Sequence, residues 1–358
     1  MPQPYWTNRL CGPEDIAAAV ELVRLVHGDE YPEINRTFYD WRYLSDTAFH
    51  GDILMADFEG RPIGIQPVSI LDFQWNEARL RGAVYTGVLT HPAHRRRGIF
   101  QSLVSAANEH ARRRGCQFSF TLPNERSLPG FLKTGEWHEP GLIPLHVKIL
   151  DGRALLRPRV GRISAHLVGW LPHPLFTRQR TFPTSRPLDI EPARLMPPEL
   201  DRVFDEFSRD CGSLMVRRTA DYWNWRYAAK PNAAYHLFIA RRNGQVVGAV
   251  ATSLEKRMGI EIGMVLDLIA RGGIPVLCRL LRAAEEDLAS RGLGLAACEA
   301  TSPMLQAALR AEGYVGPRPT WLPKKFHFVY RPTGVAGLSR IPSRVRDWHL
   351  TLGDSDTV

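Results

Sequence analysis

The sequence predicts an α/β fold made of two copies of one mixed-sheet α/β domain in tandem, and three observations lead to this prediction. The segment Phe-Tyr-Asp-Trp-Arg-Tyr at residues 38–43 returns as Tyr-Trp-Asn-Trp-Arg-Tyr at residues 222–227. Further landmarks recur in the same order, since Gly60 matches Gly244 at the same offset of 184 residues that separates the two motifs. The length of 358 residues also favours two domains, because one domain usually takes about 100–200 residues.

We expect the first copy to occupy residues 1–150, followed by a linker at 151–195. The second copy then occupies residues 196–332, and residues 333–358 form a tail. Within the linker, residues 155–176 mix apolar side chains with arginines and are interrupted by prolines. This pattern fits an amphipathic helix that lies on a membrane or an acyl carrier, or a helix packed across the two domains.

In the first copy, Pro13 opens a helix whose apolar residues recur at helical spacing, and Gly28 is placed to end it. A turn at Glu59-Gly60 joins two apolar runs, as in a β-hairpin. The remaining elements follow the same two periodicities. The predicted order after the first helix is strands at 53–58, 63–71 and 79–90, a helix at 98–114, a strand at 118–122, a short helix at 127–134 and a final strand at 145–149.

The second copy repeats this order of elements. It predicts a helix around residues 203–207, strands at 237–241, 246–253 and 264–268, a long helix at 274–291 and a strand at 295–300. The recurring Trp41 and Trp225 are predicted to serve packing rather than ligand binding, because both copies keep them.

Composition and charge exclude several classes of protein. The chain is 44% hydrophobic and 23% charged, which argues against intrinsic disorder, and its net charge is +9. It has no dense basic run or zinc knuckle, so no nucleic-acid partner is expected. Its five cysteines form no CxxC pair, and neither a leader nor a transmembrane segment is recognised. We therefore expect a cytoplasmic protein with reduced thiols and no metal site.

One segment carries chemistry. Residues 87–100 read Gly-Val-Leu-Thr-His-Pro-Ala-His-Arg-Arg-Arg-Gly-Ile-Phe and join a predicted strand to a predicted helix. The N–H groups and the dipole at the start of a helix favour an anion. Gly98 lets a phosphate approach the backbone without a Cβ in the way, and Arg95, Arg96 and Arg97 add positive charge. The segment therefore predicts a pyrophosphate cradle that is neither a Walker loop nor a GxGxxG fingerprint.

At these residues the sequence resembles the GNAT superfamily of acyl-CoA-dependent N-acyltransferases. The loop of that family reads Arg/Gln-x-x-Gly-x-Gly/Ala, and Arg95 and Gly98 match it, whereas Phe100 stands where Gly or Ala is usual. Residues 124–135 resemble a second family segment, Asn-x-x-Ala-x-x-x-Tyr-x-x-x-Gly, with phenylalanine at the tyrosine position. The resemblance implies two GNAT-like domains and a cofactor site made of Val88, Leu89, Thr90, Arg95, Arg96, Arg97, Gly98, Ile99, Phe100, Asn124, Ser127 and Phe131.

The second copy lacks the cradle and is predicted to be degenerate. At an offset of 177 residues, which matches Gly115 to Gly292, Arg95 falls on Gly272 and Gly98 falls on Pro275. A proline removes an amide donor, so we expect cofactor to bind in the first copy alone.

Three catalytic candidates follow. The amide of Leu89 is implied by the resemblance as a donor to the thioester carbonyl. Tyr85 could relay a proton or be a core tyrosine, and Glu33 could bind a cationic acceptor or be a solvated carboxylate. Glu136 and His138 follow Gly135 and are open to the same two interpretations. Two further histidines, His91 and His94, are expected to shape the turn or touch phosphate.

The sequence thus predicts an acyl-CoA-dependent N-acyltransferase, with acetyl-CoA as the expected donor and co-substrate and a primary amine as acceptor. The acceptor is a small molecule or an amine bound to a carrier, and a homodimer is left open. Two alternatives stand beside this function. A non-catalytic acyl-CoA-binding sensor would fit the missing tyrosine, and a Fem-type aminoacyl-tRNA-dependent transferase would need no intact cradle.

Overall fold

The computed structural model describes residues 5–28, 34–45, 47, 49, 51–152, 187–257, 260–316, 325–335 and 341–355. These residues form two mixed α/β sheets with helices against them, as the repeat predicts. The predicted linker helix at 155–176 and the candidate Glu33 lie outside the described residues. Within the described part, no helix is both long enough and apolar enough to cross a membrane.

The first sheet contains nine of the described strands, in the order β1-β2-β3-β4-β6-β15-β7, with β5 and β10 also paired to β3. Its long central strands are antiparallel, and β4 and β6 run parallel. The strands are β1 (Thr7–Leu10), β2 (Gly51–Phe58), β3 (Arg61–Trp75), β4 (Ala78–Tyr85), β5 (Leu89–Thr90), β6 (Phe118–Thr121), β7 (His138–Leu142), β10 (Met215–Val216) and β15 (His327–Pro332).

The second sheet has the order β8-β14-β13-β12-β11-β9, with β13 and β14 parallel. Its strands are β8 (Leu145–Ile149), β9 (Asp189–Ala193), β11 (His236–Arg242), β12 (Gln245–Arg257), β13 (Ile260–Ala270) and β14 (Leu295–Glu299). The two halves therefore share one plan in which hairpins lead into a parallel strand pair.

The two halves exchange strands. The predicted strand at 145–149 exists, but β8 pairs with β14 of the second sheet, with Leu295 opposite Ile149. In return, β15 from the second half inserts between β6 and β7 of the first sheet. The sequence placed the strand at 145–149 in the first copy without indicating its partner, because the pairing of an end strand depends on contacts distant in sequence. The domain boundaries themselves stay predictions.

The helices that the sequence predicted are present, and the structure adds three that it did not predict, at residues 36–39, 220–223 and 303–311. Pro13 begins a short 3₁₀ turn that leads into the first helix, and Gly28 ends that helix in a conformation with φ +63°. The helices are α1 (Ile16–His27), α2 (Arg36–Tyr39), α3 (Ile99–Arg113), α4 (Leu128–Leu132), α5 (Leu200–Cys211), α6 (Ala220–Trp223), α7 (Gly273–Ser290) and α8 (Pro303–Ala311).

The faces of the first sheet have different partners. Tyr85 and its alternate neighbours pack beneath α3 in one apolar cluster, together with Phe131 and Trp137. On the opposite face, Val84 and Phe120 belong to a larger cluster that includes α1 and the core of the second half. Side chains of a strand alternate between faces, so residues 84 and 85 of β4 look in opposite directions.

Candidate active site

The first sheet opens at the end of β4. Strands β4 and β6 pair in parallel from Gly82 opposite Phe118 to Tyr85 opposite Thr121, and then separate. After the break at residues 86–88, the chain resumes as β5, which pairs with β3. The predicted strand at 79–90 is thus two strands. Between β5 and the residues after β6 lies a V-shaped opening, where the resemblance placed the acyl-bearing arm of the cofactor.

The register of β5 decides which amides face this opening. His91 donates its amide to Ile63 at 2.9 Å, while Leu89 lies opposite Ile65. Because hydrogen-bonded pairs alternate along an antiparallel ladder, the N–H of Leu89 faces β3 and that of Thr90 faces the opening. The Thr90 carbonyl, which accepts from Arg95 Nε at 3.5 Å, agrees with this direction. The amide donor expected at Leu89 is therefore better assigned to Thr90.

The loop before α3 presents a continuous row of amides. Among the described residues, the N–H groups of positions 96 to 101 have no hydrogen-bond acceptor, whereas Ser102 already donates to Gly98. Gly98 caps the helix with φ +89° and Arg96 is also left-handed, with φ +60°. Successive amides in such a loop form a concave nest for anions, and the helix dipole adds to its positive potential.

Three exposed arginines surround this nest, and the N-terminal segment supports it. Arg97 lies over the ring of Tyr5, 5.4 Å from its centroid, and donates to the Tyr5 hydroxyl at 3.4 Å. His94 Nδ1 is 2.8 Å from the same hydroxyl. Partial burial, His91 and Arg97 together lower the pKa of His94, which favours the neutral ring that accepts from the tyrosine. Tyr5 of the N-terminal segment therefore packs against the loop, and the amides and charges of the loop remain exposed.

Phe100 and Phe131 pack against each other, which accounts for the phenylalanine at each position. The ring of Phe131 is buried and meets Phe100 edge-on at 5.2 Å and Trp137 at 5.0 Å. Phe100 also lies against Gly130, where a Cβ would come within 2.6 Å of its ring. The bulky residue at position 100 thus packs on α4 and leaves the loop amides clear. Phe131 serves this packing, and its ring has no group that could donate a proton.

Asn124 and Ser127 form the start of α4. The side-chain oxygen of Asn124 accepts from the amides of Arg126 and Ser127 at 3.0 and 2.9 Å. Within the described residues, the side-chain NH₂ group of Asn124 donates no hydrogen bond. The residue is exposed beside the opening. That free NH₂ group is the feature that suits the cofactor contact implied for Asn124.

Tyr85 lies on the face that α3 covers. Its hydroxyl donates to Asn108 at 3.0 Å and accepts from Ser119 at 3.3 Å, and its side chain is only 1% exposed. Burial raises the pKa of this phenol. Because its hydroxyl is fully hydrogen-bonded under α3, Tyr85 fits the interpretation of a core tyrosine. Its position gives no support to a role in proton relay.

The remaining candidates lie at the outer edge of the sheet or in the turn. Glu136 forms an ion pair with Arg331 at 3.1 Å, and the ring of His138 rests on Tyr330. His91 shapes the turn, since its Nδ1 accepts from the amide of Ala93 at 3.2 Å. Glu136 and His138 thus make contacts that structural residues make.

The second copy differs more than the sequence indicated. Gly272 caps α7 with φ +91°, so it is the counterpart of Gly98, and the pairing of Gly98 with Pro275 was wrong. Eight residues link Thr90 to α3, but only Arg271 and Gly272 link β13 to α7. Arg271 also donates its amide to Val247. The nest is therefore missing because its loop is deleted.

The tail occupies the corresponding opening of the second sheet. Strands β13 and β14 pair only from Gly263 to Val265, and beyond that point Thr301 binds the tail through Trp348 and Leu350. A Cβ at Gly353 would collide with the Tyr227 hydroxyl and lie 3.3 Å from Leu266 O. Buried tail side chains fill the remaining space: Trp348, His349, Leu350 and Leu352. Burial also lowers the pKa of His349 well below its ordinary value.

The arrangement of metal-binding side chains and two comparisons with known proteins also bear on the site. Within the described residues, no group of three or more His, Cys, Asp or Glu is arranged to hold a metal ion. No curated protein sequence is significantly similar to the chain. The family model of the acetyltransferase (GNAT) domain, however, matches residues 8–137, which include the opening and the nest.

Solved structures share the fold of both halves of this chain. A GCN5-related N-acetyltransferase from Anabaena variabilis aligns with a TM-score of 0.63 at 12% identity, covering 92% of this chain and 73% of that one. A similar protein from Kribbella flavida gives a TM-score of 0.53 at 13% identity, over 92% and 71% of the two chains. A tandem GNAT protein from the clavulanic acid biosynthesis pathway gives a TM-score of 0.54 at 14% identity, over 92% and 99%.

The family match and these folds agree with the nest and the opening of the first sheet. They also account for the second sheet, which repeats the plan without the loop. Residues 8–137 therefore match the acetyltransferase (GNAT) domain, and the fold of the chain is that of two GNAT-like domains in tandem.

Proposed function

We propose that this protein transfers the acetyl group of acetyl-CoA to a primary amine. Acyl transfer is the chemistry of the family to which the first domain belongs, and the choice of acetyl donor and amine acceptor is our proposal. The observation that carries it is the row of unpaired amides at positions 96 to 101, which adjoins the opening of the first sheet.

The residues fit an acyl-CoA co-substrate. A diphosphate needs several converging donors, and the nest offers backbone amides, an exposed Gly98 without a Cβ, and the side chains of Arg95 to Arg97. The Thr90 amide and carbonyl face the opening, so they suit the amide groups of a pantetheine arm. Gly98 is the most sensitive position, because its φ of +89° disfavours any other residue.

The acyl group would then lie at the base of the opening, near Tyr85 and Thr121, where β4 and β6 part. An amide N–H directed at the thioester carbonyl stabilises the oxyanion that forms when an amine attacks. Thr90 supplies such an N–H, since its amide is directed away from β3. Phe131 cannot supply a proton to the departing thiolate, and we propose that the attacking amine itself supplies it.

Two alternative functions can be compared with this site. A Fem-type transferase would not need the nest, which the structure keeps. A non-catalytic acyl-CoA sensor gains some support from the phenylalanine at position 131, because this residue cannot act as an acid. The two candidates that remain differ in one observable, which is the release of free thiol in the presence of an amine.

The experiment is a mass-spectrometric screen of amine libraries with the purified full chain and acetyl-CoA. The proposal expects an acetylated amine and an equal amount of free CoA, both absent with Gly98→Trp. Libraries should include amino sugars, amino acids, polyamines, peptides and carrier-bound amines. Binding of acetyl-CoA without thiol release for any amine would favour the sensor and overturn the proposed transfer.

A further inference from the structure

A small cavity lies between the two halves of the chain. Its space is about 10 Å³, enough for about one water molecule. Val84 and Phe120 of the first sheet form one wall, and Tyr222, Trp225 and Asp354 of the second half form another. Because Val84 and Tyr85 look in opposite directions, the cavity is on the face of the first sheet away from α3.

The cavity adjoins the place where the first sheet opens. Val84 and Phe120 each precede by one residue the last paired positions, Tyr85 and Thr121. One residue along a strand is about 3.3 Å, so the cavity wall lies next to the base of the V-shaped opening. A group bound in the cavity would therefore approach an acyl group in the opening from the side opposite α3.

Asp354 lines this cavity and carries one buried oxygen without a hydrogen-bond partner among the described residues. Its side chain is 1% exposed, and its Oδ2 accepts from Arg218 Nη2 at 2.7 Å and from the Thr351 amide at 2.8 Å. Its Oδ1 is buried and has no hydrogen-bond partner among the described residues. A buried carboxylate oxygen without a partner is costly, which marks it as the acceptor site for a missing donor.

The charges around Asp354 also suit an amine about to react. Arg42 and Arg226 line the same cavity, and their positive charges lower the pKa of an ammonium bound there. Burial, in turn, raises the pKa of Asp354 despite its contact with Arg218. Both effects favour transfer of a proton from the bound ammonium to the carboxylate. The other ionisable groups that act on Asp354 or respond to it are Asp267 and Tyr222.

We propose that Asp354 is the general base of this enzyme and that the cavity receives the ammonium group of the acceptor. This inference rests on the proposed acyl transfer. In the step, R–NH₃⁺ gives one proton to Asp354 Oδ1, and the freed lone pair forms the new N–C bond at the thioester carbonyl. The C–S bond then breaks, and a second proton of the nitrogen goes to the thiolate, which leaves as CoA thiol.

The size of the cavity defines the class of acceptor. A space of about 10 Å³ suits an –NH₃⁺ group, which is close to a water molecule in size, better than a bulkier N-methylated nitrogen. The aromatic side chains of Tyr222 and Trp225 contribute apolar lining, which suits the methylene beside the ammonium. We therefore expect the acceptor to be a primary amine on an unbranched carbon.

The test compares two aspartates that share one arginine. Asp267 also contacts Arg218, at 2.8 Å, but both of its oxygens are hydrogen-bonded and it does not line the cavity. Thiol release from acetyl-CoA is measured against n-propylamine for the wild type, Asp354→Asn and Asp267→Asn across pH 5.5 to 9. Acetyl-CoA affinity is measured for each by calorimetry.

Loss of a general base lowers kcat by about 100-fold or more, so Asp354→Asn should show this loss. It should also lose the fall of kcat at low pH that protonation of Asp354 causes in the wild type. Asp267→Asn should stay within about threefold of the wild type, and all three proteins should bind acetyl-CoA with similar affinity. Equal losses in both variants would overturn the proposal, because both would then act through the shared ion pair.

A second variant covers the case in which Asp354→Asn does not fold. Val216→Ile adds one methyl group to the cavity wall, leaves every ion pair intact and is distant from the nest. It should raise KM for n-propylamine by at least about tenfold and leave acetyl-CoA affinity unchanged. An unchanged KM, or a wild type that binds acetyl-CoA and releases no thiol with n-propylamine, would overturn the cavity assignment. A wild type that does not bind acetyl-CoA would instead overturn the proposed function.

Discussion

Trp41 and Trp225 stack on each other across the junction of the two halves, with their ring centroids 5.0 Å apart and their planes at 21°. The indole N–H of Trp41 donates to the carbonyl of Trp225 at 3.2 Å. The two residues occupy the same position of the repeated motif, so the junction is built by equivalent surfaces that meet face to face. Arg42 extends the stack, with its guanidinium 5.0 Å from the Trp225 ring centre.

The first prediction concerns this stack. Trp41→Ala should lower the free energy of unfolding by about 3–5 kcal/mol, because it removes a buried ring and leaves a cavity. Trp41→Phe keeps a ring but loses the hydrogen bond, so it should lower the free energy of unfolding by only about 1 kcal/mol. Urea unfolding followed by far-UV circular dichroism measures both values. A loss below 1 kcal/mol for Trp41→Ala would show that the stack contributes little to the junction.

The second prediction follows from the exchanged strands. A fragment of residues 1–150 lacks β15, which pairs with both β6 and β7 in the intact first sheet. It also leaves β8 without its partner β14. The fragment should therefore be insoluble or lack cooperative unfolding, because these strands would be left with open edges.

Co-expression with residues 187–358 is the matching control, and it should restore a soluble complex. Solubility and thermal unfolding of the fragment and of the pair provide the measurement. A fragment 1–150 that unfolds cooperatively by itself would show that the first sheet does not depend on the exchanged strand.

The third prediction concerns the position where the resemblance expects a tyrosine. Phe131→Tyr would place a hydroxyl among buried rings under α3, so it should not raise kcat by as much as tenfold. It should instead lower the melting temperature, since a polar group is added among closely packed apolar rings. Turnover and thermal unfolding are compared with Phe131→Leu. An increase in kcat of more than about tenfold, equal to about 1.4 kcal/mol of barrier, would show that proton donation was limiting.

The fourth prediction tests the charges beside the nest. Arg95→Ala should weaken acetyl-CoA binding by roughly 10- to 100-fold, because a charge-assisted phosphate contact contributes about 1.5–3 kcal/mol. Arg112→Ala is a suitable control, since Arg112 is exposed near the other end of the same helix and pairs with Glu109. Calorimetric titration of both variants with acetyl-CoA gives the two affinities. Equal affinities would mean that the loop arginines do not touch the phosphates.

Local sequence patterns predicted the helices and strands of each copy, but they could not predict which strands pair when those strands are distant in sequence. The apolar spacing of α1 and α3 and the turn at Glu59-Gly60 are properties of neighbouring residues, so the sequence identified them. The exchange of β8 and β15 depends on which strand edge is available, and no local pattern records that. For the same reason the tail, whose residues Trp348 to Leu352 show no periodicity, was not recognised as the filler of the second opening.

The site shows the same division. Arg95 and Gly98 were recognised from their spacing, and the structure gives them an exposed nest. The counterpart of Gly98 was misplaced because the second loop is six residues shorter than the first. Helix α7 is three residues longer than α3, so the 177-residue offset between the copies holds again at Gly292. Asp354 could not be found from sequence, since nothing near it in the chain resembles a motif.

The stoichiometry of acetyl-CoA binding tests the central claim, which is one functional cofactor site per chain, in the first copy. Isothermal calorimetry of the full chain should give a stoichiometry near one. Gly98→Trp should abolish binding, because a side chain fills the approach to the nest at a φ of +89°, whereas Gly273→Trp at the start of α7 should leave the affinity nearly unchanged. A stoichiometry near two, or binding that survives Gly98→Trp, would contradict the account.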